Sequence, residues 1–239
     1  MGEIERALEA LRSGNPIMIF DGDEREAEVD LIYHASGVGP EAIYDLRVNA
    51  GGLICFATTW PIARDLGLIW GYELIRLHPP LAPLTEKTPK YGDKPAFTIW
   101  VNHVSTRTGI SDVDRSKTVR ELDKIVKIYL EEGPVRARRM FLEGFQAPGH
   151  VPVLAARSLS ERRGHTELST CLSLLAGLRP SVVFAEMLGK GTALPLDEAR
   201  EISRRRGIPL LTGDQVVEAC KRAGLYSGYR HYVQQGRHG

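Results

Sequence analysis

The chain has 239 residues, of which 43% are hydrophobic and 26% charged, a composition typical of an ordered globular protein rather than a disordered one. Its 31 basic and 30 acidic residues nearly balance, which argues against nucleic-acid binding, and its apolar runs are too short to cross a membrane. Cys55, Cys171 and Cys220 are too few and too widely spaced to predict a disulfide framework or a zinc site, so a reducing, cytoplasmic location is expected.

The first half of the chain predicts strands and helices in alternation. Apolar residues at helical spacing predict helices over 3–13 and 40–49. Short apolar or alternating runs predict four strands, at 17–20, 29–33, 53–58 and 97–104. Residues 60–95 hold six of the 14 prolines and show no clear period, so we expect an irregular excursion there, with 85–95 as a candidate lid.

The second half begins with a predicted helix over 116–129 and a loop-rich connection over 133–149. Strands and helices then alternate again, at 151–155, 166–175, 182–185, 195–206, 208–211 and 213–223. This alternation predicts a single layered α/β (α+β) domain over residues 1–224, with a mixed sheet covered by helices. Residues 225–239 are mostly polar and are expected to form a C-terminal tail.

The most acidic stretch, residues 21–30, holds six carboxylates and one arginine directly after the first predicted strand. Like charges at this density repel one another, and Mg²⁺ or Mn²⁺ would offset them because hard cations prefer carboxylate oxygens. If the segment is extended, Glu26, Glu28 and Asp30 share one face. A solvated acidic loop is the competing interpretation, but sites of α/β folds tend to follow buried strands.

A second candidate site lies at the start of the first helix of the last third. Thr166 can act as its N-cap, and Gly164 lets the backbone approach a ligand closely. A helix N-terminus beside Arg162 or Arg163 suits a phosphate group, and His165 could bind a metal or transfer a proton. A capping loop with two exposed arginines explains the same residues equally well.

The other candidates are weaker when taken singly. Glu186 ends an apolar run, where both catalytic and solvated carboxylates are common. Thr108 belongs to a hydroxyl-rich turn that could bind sugar oxygens. His150 follows a Pro-Gly pair and is either catalytic or part of a turn. Cys55 lies inside a predicted strand and is more typical of a small core residue than of a nucleophile.

In chain order these segments resemble the 3,4-dihydroxy-2-butanone 4-phosphate synthase family over about residues 3–222. The most specific motif is Arg25-Glu26-x-Glu28-x-Asp30. Five further pieces agree in order: Gly51-Gly52-Leu-Ile-Cys55, Thr108-Gly109-Ile-Ser111-x-x-Asp114-Arg115, Pro148-Gly149-His150-Val151, Arg162-x-Gly164-His165-Thr166-Glu167, and Glu186. The chain departs from the family's usual residues at Arg107, Ala147 and Arg163, none of which is a proposed metal ligand.

The resemblance implies a lyase of riboflavin biosynthesis that takes D-ribulose 5-phosphate to formate and 3,4-dihydroxy-2-butanone 4-phosphate through enediol formation, loss of water, skeletal rearrangement and one-carbon release. It implies Mg²⁺ or Mn²⁺ held by Glu26 and His165. Substrate contacts are implied for Arg25, Glu26, Asp30, Thr108, Arg162, Arg163, Gly164, His165, Thr166 and Glu186. Candidate catalytic groups are Glu28, Asp30, Cys55, His150 and Glu186, with Glu28 or Asp30 as the base.

The resemblance also implies a cytoplasmic homodimer with its site near the subunit interface, a sugar phosphate as ligand, and no nucleic-acid or membrane partner. Two other functions remain compatible with the residues. A metal-dependent sugar-phosphate isomerase or aldolase needs similar groups, and a phosphate-sensing or scaffold protein could keep the fold without catalysis. Release of formate from ribulose 5-phosphate separates the synthase from both alternatives.

Overall fold

The centre of the fold is a sheet of short, apolar strands. The computed structural model describes residues 2–229. The strands are β1 (Ile17–Phe20), β2 (Val29–His34), β3 (Cys55–Thr59), β4 (Phe97–His103), β5 (Phe145–Ala156), β6 (Val182–Glu186) and β7 (Leu210–Thr212). Within the described residues they form one seven-stranded sheet in the order β4-β5-β3-β6-β2-β1-β7. The pairs β3/β5 and β1/β7 are parallel and the other pairs antiparallel, so the predicted mixed sheet is confirmed.

Helices cover both faces of this sheet. They are α1 (Glu3–Arg12), α2 (Pro40–Asp45), α3 (Trp60–Asp65), α4 (Gly71–Arg76), α5 (Asp112–Glu132), α6 (Pro134–Gly144), α7 (His165–Leu175), α8 (Leu196–Arg206) and α9 (Gly213–Arg222). Helices α1, α7 and α9 bury their apolar residues in one core, and α2, α3, α5, α6 and α8 in the other. Strand side chains alternate between the two, as Ile19 and Phe20 do in β1.

Two stretches are more regular than the sequence predicts. Residues 60–95 contain α3, α4 and a 3₁₀ helix over Pro79–Thr85, and the expected loop over 133–149 is α6 followed by the start of β5. The prolines misled the prediction because Pro61 and Pro134 occupy the first turn of their helices, where no N–H bond is lost. Helix α6 also buries Ala137 and Phe141, four residues apart, on one face.

Three local expectations are also wrong. Gly164, not Thr166, is the N-cap of α7, which begins one residue earlier than predicted. The acidic stretch is extended only from Val29 onward; residues 21–28 form turns, with Ala27 at a φ of 56°. Cys171 and Cys220 form a disulfide that joins α7 to α9, which the spacing of the cysteines along the chain did not reveal.

The predicted tail is packed in its first part. Leu225 and Tyr229 are buried, and the Tyr229 hydroxyl donates to the carbonyl oxygen of Arg157 at 2.9 Å. The folded body therefore extends at least five residues beyond the predicted boundary at 224, while residues 230–239 lie outside the described part of the chain. Among residues 2–229, none of the helices has the length and apolarity needed to cross a bilayer.

Candidate metal and substrate site

Four polar side chains of the sheet come to the same edge and the same face. Because β2 runs antiparallel to both β1 and β6, the ends of β1 and β6 lie beside the start of β2, and β3 starts at the same edge. Alternation along β2 points Asp30 to the same face as Ile32, which packs in the core of α7. The side chains that share this position are Asp21, Asp30, Cys55 and Glu186. We call this region the edge site.

His165, the first residue of α7, is brought against this edge. Its Nε2 lies 3.1 Å from the carbonyl oxygen of Ile19, and because a carbonyl only accepts, Nε2 carries a hydrogen. Nδ1 therefore faces the carboxylates, at 3.8 Å from Oε2 of Glu26 and 3.5 Å from Oδ1 of Asp30. An imidazole fixed through one nitrogen with the other turned to acidic groups is the arrangement of a metal-ligating histidine.

Asp21, Glu26 and His165 each offer a ligand atom, and these atoms lie within 4.8 Å of one another. We call these three residues, which could bind a cation together, the cation cluster. Two carboxylates and an imidazole suit a hard divalent cation such as Mg²⁺ or Mn²⁺. The sequence analysis predicted Glu26 and His165 as ligands and did not single out Asp21, which the fold brings beside them. Its oxygens accept the N–H groups of Glu26, at 3.0 Å, and of Glu28, at 3.1 Å, which folds the acidic loop back on itself.

The charges of the edge site couple His165 to Glu26. Burial alone would lower the pKa of His165, but the surrounding carboxylates, Asp30 foremost, raise it to about 10. The interaction with His165, whose Nδ1 lies 3.8 Å from Oε2 of Glu26, lowers the pKa of Glu26 to about 2. A positively charged His165 would offset the negative charge of these carboxylates, and a cation held through Nδ1 would take the place of that proton.

Burial lowers the pKa of a histidine but raises that of an acidic group, and three acidic groups of this region show the second effect. It raises the pKa of Asp30 well above its usual value, although His165 opposes the shift. It raises the pKa of Glu28, which the negative charges of neighbouring carboxylates raise further. It also keeps the thiol of Cys55 protonated by raising its pKa. Carboxyl groups with raised pKa values beside a cation cluster are suited to transferring protons.

Glu186, at the end of β6, is held by the backbone of the Gly51-Gly52 turn. The N–H of Leu53 donates to Oε2 of Glu186 at 2.7 Å, and the N–H of Gly52 donates to its carbonyl oxygen at 2.9 Å. A Cβ atom on Gly52 would lie 2.7 Å from that carbonyl oxygen and closer still to Oε2. The glycine of the sequence motif is therefore required to seat the Glu186 carboxylate.

Arg162 is buried beside the cation cluster. Its Nη1 donates to Oε2 of Glu167, and its Nη2 lies 3.8 Å from Oε1 of Glu26. The Nε atom is buried and has no hydrogen-bond partner among residues 2–229. A side chain on Gly164 would collide with the guanidinium, so the glycine allows this packing. Of the predicted residues, Arg162 therefore lies next to Glu26, and Gly164 lies next to Arg162.

Arg163 points elsewhere, since its guanidinium donates to the Tyr226 hydroxyl at 2.8 Å and does not crowd the start of α7. The first two amide groups of that helix, on His165 and Thr166, make no hydrogen bond within the described chain. Free amides at a helix N-terminus attract anions because the helix dipole adds to their own partial charge.

Arg25 approaches from the outer side of the acidic loop. It forms an ion pair with Asp93, its guanidinium lies 5.3 Å from the ring centre of Tyr91, and its Nε is 3.8 Å from Oδ2 of Asp21. Nε and Nη2 are buried without a hydrogen-bond partner among residues 2–229. The segment that carries Tyr91 and Asp93 is the one predicted as a lid.

Thr108 and His150 form a separate polar cluster around Asn102. Oδ1 of Asn102 accepts the N–H of His150 at 2.8 Å, and its amide nitrogen lies 3.4 Å from the carbonyl oxygen of Thr108. Asp114 accepts the N–H groups of Thr108 and Gly109 at 3.1 and 2.9 Å. Within residues 2–229, no hydrogen bond or ion pair links this cluster to Asp21, Glu26 or His165. The described chain thus brings together only part of the predicted set of site residues.

A family model described as 3,4-dihydroxy-2-butanone 4-phosphate synthase matches residues 5–219 of this chain. The chain belongs to the 3,4-dihydroxy-2-butanone 4-phosphate synthase family. The synthase of Archaeoglobus fulgidus is 37% identical over 225 residues, covering 90% of this chain and 93% of the relative. That of Methanosarcina mazei is 39% identical over 226 residues, covering 90% of each chain.

Solved structures of the synthase agree with this membership. One, described as a complex with two magnesium ions, matches 95% of this chain and all of its own with a TM-score of 0.73 at 26% identity. The Candida albicans enzyme matches with a TM-score of 0.66 at 30% identity, covering 90% of this chain and 95% of its own. Enzymes of the family convert ribulose 5-phosphate to 3,4-dihydroxy-2-butanone 4-phosphate and formate in riboflavin biosynthesis. The family and the lyase activity predicted from the motifs are therefore confirmed.

Proposed function

We propose that the chain carries out the synthase reaction at the edge site, with the roles that follow. The observation that supports this most directly is the 3.8 Å separation of Glu26 and His165, which come from a loop after β1 and from the start of α7. A carboxylate and an imidazole at this distance, beside carboxyl groups with raised pKa values, suit metal-assisted proton transfer on a sugar phosphate.

Asp21, Glu26 and His165 are the proposed ligands of a divalent cation, Mg²⁺ or Mn²⁺. Their oxygen and nitrogen donors fit such an ion, and a related structure is described as holding two magnesium ions. When bound, the cation would supply positive charge to the oxyanions that the reaction forms. The ion pair of Glu26 with His165 would hold these two side chains together before the cation binds.

The phosphate of the substrate is proposed to bind at the start of α7. The free amides of His165 and Thr166 supply hydrogen-bond donors, and Arg162 supplies a buried positive charge with an unpaired Nε. Arg25 adds two further unpaired nitrogens on the other side of the acidic loop. Binding energy from the phosphate would hold the reacting carbons against the carboxyl groups.

Proton transfer is assigned to Glu28, Asp30 and Glu186. Formation of an enediol needs a base beside the carbonyl carbon, and burial raises the pKa values of Glu28 and Asp30, which suits these carboxyl groups to gaining and releasing protons. Glu186 lies opposite Asp30 in the sheet register and is held by the turn before β3. Cys55 is proposed to line the floor of the site as a neutral thiol rather than act as a nucleophile.

Thr108 and His150 are proposed to complete the site of a second protomer in a homodimer. Apolar residues are exposed around this cluster, on β4, the following turn, α5 and α6: Trp100, Val104, Ile110, Val113 and Leu142. Burial of such a patch between two chains would remove it from water and present His150 to the neighbouring edge site. We also propose a cytoplasmic location; the Cys171–Cys220 disulfide is compatible with it because both residues are fully buried from soluble reductants.

The test is incubation of the purified protein with ribulose 5-phosphate and measurement of formate, with Mg²⁺, with chelator, and after Mg²⁺ is restored. Glu26→Gln should abolish the signal, while Glu24→Gln, which changes an exposed carboxylate of the same loop, should keep it. Consumption of substrate without formate would favour an isomerase or aldolase. Binding of substrate without any product would favour a sensing protein.

A further inference from the structure

We propose that Tyr91 and Asp93 are positioning residues that hold the segment 86–95, here called the strap, closed over the edge site. This inference rests on the proposed function, because it concerns how the same site holds its ligands. Tyr91 and Asp93 would orient the side chains of Arg25, Glu26 and Arg162, although both residues lie outside every sequence motif of the resemblance.

The strap is an irregular segment whose two ends are tied together. It contains no helix or strand, and the ammonium group of Lys94 donates to the carbonyl oxygens of Thr85, at 2.6 Å, and Lys87, at 2.9 Å. These bonds bring the ends of the strap together and make it a compact surface loop. Gly92, with a φ of 90°, turns the chain between Tyr91 and Asp93, so both side chains reach the acidic loop.

Asp93 holds the strap to Arg25. The carboxylate accepts from Nη1 of the guanidinium, and the side chains are only 30% and 15% exposed, so water screens the pair weakly. Arg25 directly precedes the proposed metal ligand Glu26. Nε and Nη2 of Arg25 have no hydrogen-bond partner among residues 2–229, so Asp93 aims the guanidinium and leaves two donors for a ligand.

Tyr91 reaches the cation cluster itself. Its ring lies beneath the guanidinium of Arg25, 5.3 Å from it, and the side chain is close enough to Glu26 to help His165 lower the pKa of that carboxyl group, while burial and Glu26 raise the pKa of Tyr91 to about 12. One side chain therefore lies beside both the outer arginine and the proposed metal ligand, with Arg162 nearby. Closure over them would exclude water and orient Glu26 toward the cation.

Three variants and a matched control separate positioning from simple stability. Asp93→Asn removes the charge of the ion pair, Asp93→Glu keeps it, and Tyr91→Phe removes only the hydroxyl. The control is Asp197→Asn, which breaks the exposed ion pair of Asp197 with Arg200 on α8, away from the edge site. Thermal unfolding of each variant reports whether the fold is intact.

Limited trypsin digestion reports opening of the strap directly. Lys87 and Lys90 are exposed cleavage points, whereas Lys94 precedes Pro95, a bond that trypsin cuts poorly. We expect cleavage after Lys90 to be about fivefold faster in Asp93→Asn, the factor for about 1 kcal/mol lost from a local opening equilibrium. Asp93→Glu and Asp197→Asn should stay close to the parent rate.

Ligand binding gives the second readout. We expect the KM for ribulose 5-phosphate to rise about tenfold in Asp93→Asn, with a smaller effect on kcat, and Mn²⁺ affinity, measured by electron paramagnetic resonance, to fall about threefold in Tyr91→Phe. Parent values in both variants, for trypsin, KM and Mn²⁺, would overturn the inference. If the parent chain itself releases no formate, the proposed function fails, while digestion and Mn²⁺ binding still test the strap.

Discussion

The Nδ1 atom of His165 lies 3.5 Å from Oδ1 of Asp30, and that oxygen has no hydrogen-bond partner among residues 2–229. A fully buried carboxyl oxygen without a partner is costly, since its desolvation is not compensated. The cost is offset if the oxygen faces a cation or the substrate during turnover. This relationship sets the first prediction.

Asp30→Asn should lower formate release by about 100-fold or more, because the amide keeps the shape of the carboxyl group but cannot accept a proton from the substrate. Mn²⁺ affinity should change little, since Asp30 is not among the proposed ligands. The measurement is kcat from formate production beside a Mn²⁺ titration. Full turnover in this variant would remove Asp30 from the proposed proton-transfer groups.

Asp21→Asn should weaken Mn²⁺ binding by about 10- to 100-fold. The substitution removes one proposed ligand charge and weakens the two hydrogen bonds that fold the acidic loop. Isothermal titration with Mn²⁺ measures the effect. Asp23→Asn is the matched control, because that exposed carboxylate lies outside the cluster. Equal affinities in the two variants would contradict the assignment.

Gly52→Ala should cost about 1–3 kcal/mol of unfolding free energy and reduce formate release, because the added methyl group collides with both the carbonyl and the carboxylate of Glu186. Gly189→Ala is the control, since its nearest atom to a new Cβ would be 3.6 Å away, an ordinary contact. Urea unfolding and the formate assay measure the two effects. An unchanged Gly52→Ala enzyme would show that Glu186 need not be seated by this turn.

Asp45 should make stability depend on pH in the acid range. Burial would raise its pKa, but Arg206, Tyr33 and Asn49 lower it below the unfolded value of 3.8. A lowered folded-state pKa gives stability that is fully present above about pH 4 and is lost as the pH falls through the folded value. Asp45→Ala should therefore cost about 2 kcal/mol at pH 7 and less near pH 2.5, measured by urea unfolding. A cost that does not depend on pH would contradict the network.

The sequence alone was sufficient to predict the sheet and its covering helices, and to predict that Glu26 and His165 lie close together. Apolar runs located β1, β2 and β6 because those strands are buried along nearly their whole length, and helical spacing of apolar residues located the last helices, which bury one face. Motif order placed Glu26 and His165 in one site. Asp21 could not be singled out from the other five carboxylates of residues 21–30, because its proposed role depends on how the loop folds back through its own hydrogen bonds.

Other features depend on contacts that no local pattern encodes. The ion pair of Arg25 with Asp93 joins residues 68 positions apart, and the disulfide joins residues 49 apart. The separation of Thr108 and His150 from the cation cluster follows from the place of β4 and β5 at the far side of the sheet. Prolines in the first turns of α3 and α6 concealed helices that packing stabilises.

The bond between Cys171 and Cys220 ties the helix that presents the imidazole to the last helix of the described chain. The crosslink keeps α9 attached to α7 if the C-terminal layer frays on heating, so we expect it to protect the position of His165 in the proposed site. The temperature at which turnover is lost should therefore depend on how firmly the last described helix is attached.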